Sequence, residues 1–155
     1  MHDLFNPAGL HMLEDRAGAV AYGWIAHRVL YGRFVGSLSA ELGTSFVQRL
    51  AGLIGQVPCL AYYADASALE AYDLSARARF QRFVLAERPR FVSLTMLTWR
   101  GGSGVAARDV AALLPEAMDL VTDPVEFDRL LADVARLPLC APLPMEPMWH
   151  VHVPR

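Results

Sequence analysis

Lysine is absent from this chain. All 14 cationic side chains are arginine, and 16 acidic residues leave a formal net charge of −2. No global basic field is available to recruit nucleic acid or anionic lipid. No apolar run is long enough to cross a bilayer as a helix, so no transmembrane segment is expected. The amino terminus, Met1-His2-Asp3-Leu4-Phe5-Asn6, lacks the positive segment and apolar core of a secretory signal, which predicts a cytoplasmic protein. Cysteine occurs only as Cys59 and Cys140, too few for a disulfide framework. Cys59 lies in the apolar run from Val57 to Tyr63 and is expected as a buried strand thiol. Histidine is missing between His27 and His150, and no serine sits in a nucleophile-elbow pattern. Both absences argue against a hydrolytic triad and for a non-enzymatic protein. The Arg100-Gly101-Gly102-Ser103-Gly104 segment lacks both the end of a P-loop and the dinucleotide fingerprint, so no cofactor is expected. His150 and His152 alone make a poor metal site, and no metal is expected either.

What is present is apolar. Hydrophobic residues make up 54% of the 155 and charged residues 19%, with a mean hydropathy of +0.27. That composition excludes a mainly disordered chain and suits one compact domain. An edge strand is predicted around Leu10–Leu13, then a strand-like stretch over 19–35 with Ala26-His27-Arg28 as its turn. Ser39 and Glu41 open a helix whose apolar stripe is Leu42, Phe46, Leu50, Leu53 and Ile54. The run Val57–Tyr63 reads as a strand covered on both faces, ended by Asp65-Ala66-Ser67. A second helix is predicted from near Asp73 to Glu87, burying Ala76, Phe80, Phe83 and Val84, with Arg77, Arg79 and Arg82 outward. Phe91–Trp99 reads as a strand, 105–114 as a short helix, and Met118–Val121 as a last strand. Asp123-Pro124-Val125-Glu126 has capping-box spacing with proline at the first helical position. Five prolines from Pro138 onward exclude helix or inner strand in the tail. The organisation is a lead-in over 1–16, a domain over 17–137 and a proline-rich tail over 138–155. A hairpin followed by alternating helices and strands, with about four helices in all, predicts an α/β fold with a mixed sheet.

Three motifs then stand in order on matching elements. They are Gly36-Ser37-Leu38-Ser39-Ala40-Glu41 after a strand, Tyr63-Ala64-Asp65 closing an apolar strand, and Asp73-Leu74-Ser75 opening a helix. With these, the stretch over about 17–136 resembles the STAS family, whose members include the bacterial anti-sigma-factor antagonists. In that family the third motif is Asp-Ser-Ser-Gly and its second serine is phosphorylated. The resemblance places that role at Ser75, with Leu74 and Ala76 departing from the pattern. It implies a signalling module that binds a protein partner. Divergent members also act as sensors, scaffolds and binders of lipids or small molecules.

The residues support more than one reading. Ser75 sits where a helix N-terminus offers free N–H groups to a phosphate, but Asp73 and Ser75 also suit a plain helix cap. Ser67, with Glu70 three residues on, has the spacing of a rival capping box. Asp65 suits either a functional carboxylate at a strand's end or an Asx turn. Asp65, Ser67, Asp73, Ser75 and Arg79 are the candidate partner-binding face. The tail offers Met145, Met148 and Trp149 as a second contact, made either in cis or to another chain. A small-molecule or lipid-binding domain is the alternative, resting on the aromatics Tyr62, Tyr63, Phe80, Phe83 and Trp99. Homo-oligomerisation through the tail or the first strand is a third reading.

Overall fold

The computed structural model describes residues 9–98, 108 and 118–137. Six strands form one sheet in sequence order: β1 (His11–Glu14), β2 (Gly18–Ala26), β3 (Val29–Leu38), β4 (Leu60–Tyr72), β5 (Phe91–Leu97) and β6 (Met118–Val121). β1, β2 and β3 are an antiparallel meander, and β3 through β6 are parallel. The described α-helices are α1 (Ala40–Ile54), α2 (Leu74–Glu87) and α3 (Pro124–Arg136). The helix expected over 105–114, the glycine-rich segment over 100–104 and the tail contacts Met145, Met148 and Trp149 lie outside the described residues, apart from Arg108. The sheet begins at His11, inside the stretch read from sequence as a lead-in.

The helices divide between the two faces of the sheet. The predicted stripe of α1 is buried at Leu42, Phe46, Leu50 and Ile54, and it packs with Phe83 and Val84 of α2 on Val20, Leu30, Phe34, Leu60 and Tyr62. Phe46 centres this face, edge-on to both Tyr22 and Phe34. Such a buried aromatic contributes about 1.5–3 kcal/mol by area alone. On the opposite face α3 sets Phe127, Leu131 and Val134 against Val29, Tyr31, Ala61 and Tyr63. The two consecutive tyrosines of β4 therefore serve different cores: Tyr62 packs near Phe91, and Tyr63 packs edge-on to Phe127.

Two sequence expectations are corrected. The strand read as Val57–Tyr63 starts at Leu60 and runs to Tyr72, through Asp65-Ala66-Ser67. Arg33 pairs with Asp65, but Val35 pairs with Ala68, so β4 gains a residue there; it gains another between Leu69 and Ala71. These bulges break the period-2 alternation, which is why the segment looked like a turn. Ser67 thus lies within a strand and caps no helix. The second correction concerns Cys59, which is disulfide-bonded and not a free thiol.

Candidate functional site

The carboxyl ends of β3 and β4 lie side by side, and each leads directly into a helix. Ser39 caps α1, its hydroxyl accepting the Leu42 N–H at 3.0 Å. The same hydroxyl donates to Asp15, whose carboxylate also accepts the Ala17 and Gly18 N–H groups. Asp73 caps α2, accepting the Ser75 N–H at 2.8 Å, and the Ser75 hydroxyl donates to the same carboxylate oxygen. The Asp73 N–H donates to the Leu38 carbonyl at 2.8 Å, which joins the two helix starts. The Ser75 hydroxyl and N–H hold the Asp73 carboxyl below the usual carboxylate range.

Ser75 is exposed on the first turn of α2. Beside it Leu74, at the first helical position, is 73% exposed. Arg79, also exposed, stands four residues after Ser75 and so shares its helix face. Beneath this turn Ala76 is buried against Gly43 of α1. Ala76 stands where the resembled motif carries glycine, and the small residue facing it is instead supplied by position 43.

Asp65 belongs to a different place. It is 2% exposed, on the face covered by α3, and eight residues of extended chain separate it from Asp73, roughly 26 Å at the usual strand rise. Its carboxylate accepts the Ser67 N–H at 3.0 Å and the Ser67 hydroxyl at 2.6 Å across the bulge. Arg33 Nε stands 3.8 Å away, and the Asp65 charge acts on the nearby Tyr31 phenol. Burial, then the Asp65 charge, pushes the Tyr31 phenol up. The face proposed from sequence therefore divides in two. Asp73, Ser75 and Arg79 share an exposed helix start, while Asp65 and Ser67 form a mostly internal polar cluster with Tyr31 and Arg33. Alternation in β3 puts Tyr31 and Arg33 on one face, but only the β3–β4 register reveals that they meet Asp65.

With this geometry the chain matches a solved structure, an uncharacterized protein of the DUF3478 family from Shewanella loihica PV-4, described as having a SpoIIAA-like fold. The identity is 16% and the TM-score 0.61, over 77% of this chain and 98% of that one. This chain has a SpoIIAA-like fold. The fold implied by the STAS resemblance is therefore present, with the hairpin, the mixed sheet and the helix start that carries Ser75. No protein-family model and no curated protein matches the sequence. Among the described residues, no cluster of three His, Cys, Asp or Glu side chains is placed to hold a metal. No helix among them is long and apolar enough to cross a membrane. Of the aromatics behind the ligand-binding reading, Phe83 is buried in the core and Phe80 packs partly buried against it. Tyr62 and Tyr63 meet neighbouring rings, so all four serve packing. Trp99 lies outside the described residues.

Proposed function

We propose that this protein is a non-enzymatic regulatory or scaffolding module that binds a protein partner at the start of α2, with Ser75 as a phosphorylation switch. The observation that carries the reading is the pairing of an exposed hydroxyl at Ser75 with an exposed apolar anchor at Leu74. A large apolar side chain at a helix start stabilises nothing in its own fold when exposed, but it buries readily against a partner.

The switch would work by exchange of the cap. In the unmodified chain the Ser75 hydroxyl is a donor to Asp73. A phosphate removes that donor, adds about −1.5 to −2 charges and repels the Asp73 carboxylate. The phosphate then competes with Asp73 for the free N–H groups of the first turn, and Arg79 on the same face favours it. Docking at Leu74 would respond to the change in charge and in chain path.

The test is co-purification with wild type, Ser75→Ala, Ser75→Asp and Leu74→Asp. The expected outcome is a partner retained by wild type and Ser75→Ala, weakened by Ser75→Asp and lost with Leu74→Asp. Identical partners and affinities for all four chains would refute the site.

A further inference from the structure

At the opposite end of β3, the two-residue turn His27-Arg28 joins β2 to β3. A cavity of about 250 Å³ opens beside it, lined among the described residues by Trp24, Ala26, His27, Arg28 and Val57. Arg28 holds φ of +57°, a left-handed conformation that a long side chain adopts at a cost. Its carbonyl accepts the Ala61 N–H at 2.9 Å, which pins the turn to the start of β4.

The guanidinium is left short of partners. Arg28 Nε is buried and makes no hydrogen bond. Among the described residues Nη1 donates only to the Cys59 sulfur at 3.9 Å, a weak acceptor. A buried N–H without an acceptor costs free energy unless a ligand supplies one. Among the described residues the lining contains no carboxylate to repel an incoming anion. Trp24, Ala26 and Val57 give the wall an apolar side, and its polar residues are His27 and Arg28.

From these observations we infer that the cavity beside Arg28 is a binding site for a small organic carboxylate with a flat apolar body. The carboxylate would accept from the guanidinium, for which a planar two-oxygen acceptor is the best match. The body would lie against Trp24 and Val57. The volume suits a single-ring acid and falls below the clefts of about 300 Å³ or more that take drug-sized ligands.

The experiment uses the full chain and two probes of equal shape, benzoate and the neutral benzamide. Of the chain's three tryptophan indole N–H resonances, the one lost in Trp24→Phe is followed by NMR during titration. Benzoate is expected to shift it and saturate, and benzamide to leave it in place. Arg28→Gly suits the left-handed turn and should fold well. It is expected to weaken benzoate binding roughly tenfold or more. Equal binding of benzamide, unchanged binding in Arg28→Gly, or no response to either probe would each overturn the assignment. The site lies at the far end of β3 from Ser75, so these outcomes do not depend on the proposed switch.

Discussion

Gly43 of α1 approaches Ala76 of α2 so closely that a β-carbon at position 43 would stand 2.6 Å from the Ala76 Cβ. The first turns of the two helices are therefore packed backbone to methyl, and the position of Ser75 depends on a missing side chain one helix away. Gly52, on the same helix, has open space around its own missing Cβ. The pair gives an internal control. Gly52→Ala should gain about 0.5–1 kcal/mol from helix propensity. Gly43→Ala should lose about 1–2 kcal/mol net, because overpacking outweighs the same propensity gain. Urea unfolding of both variants checks the opposite signs, and a stabilised Gly43→Ala would contradict the close approach.

Acid should loosen both helix starts. Asp73 is held below its ordinary pKa by Ser75, and Asp15 by Ser39 and then the Ala17 and Gly18 N–H groups. A depressed folded-state pKa means stability that is fully present above the unfolded value near 3.8 and lost as pH falls through the folded value. Asp73→Asn and Asp15→Asn should each flatten the fall in melting temperature below about pH 4. A melting curve followed from pH 6 downward reads the difference; parallel acid limbs in wild type and both variants would contradict it.

Replacing Asp65 by alanine should cost about 1–3 kcal/mol, mainly by stranding the Ser67 N–H and hydroxyl that donate to its carboxylate. Arg33 contributes less, since its side chain is 44% exposed and can hydrate. The double variant Asp65→Ala/Ser67→Ala should lose less than the sum of the two single losses, because the Ser67 hydroxyl donates to Asp65. Thermal unfolding of the single and double variants measures the coupling, and strictly additive losses would mean that the two groups do not share a bond.

Tyr62 presents the opposite case. Its hydroxyl is wholly buried without a hydrogen-bond partner, and burial pushes its pKa up. Tyr62→Phe should therefore leave stability unchanged or raise it by about 1 kcal/mol. A β-carbon on Gly32 would come within 2.9 Å of that hydroxyl. Gly32→Ala should accordingly be tolerated better in the Tyr62→Phe background than alone, an asymmetry that a double-mutant cycle in urea would register.

Local pattern carried much of the architecture. Ser39, Asp73 and Asp123 each accept an N–H from the first turn of the helix they were expected to start. The α1 stripe and the β2–β3 turn were equally legible, because caps and periodicity are properties of neighbouring residues. β4 was not legible past Tyr63. Its two bulges shift the register against β3, and polar Asp65 and Ser67 imitate a turn while bonding to each other inside a strand. For the same reason Asp65 and Ser75 looked like neighbours along the chain yet sit at different places in space. The Gly43–Ala76 contact and the unpartnered Arg28 Nε had no local signal, since both arise from packing between distant segments.

β3 is bonded antiparallel to β2 on one edge and parallel to β4 on the other. These two seams have different assembly costs. The first closes over a two-residue turn, within microseconds for an isolated hairpin, whereas the second must wait for the chain to pass through α1. The meander is thus the natural folding platform, and β4 joins it only when the crossover helix has a surface to pack on. On these costs the antiparallel seam of β3 is expected to form first and the parallel seam after it.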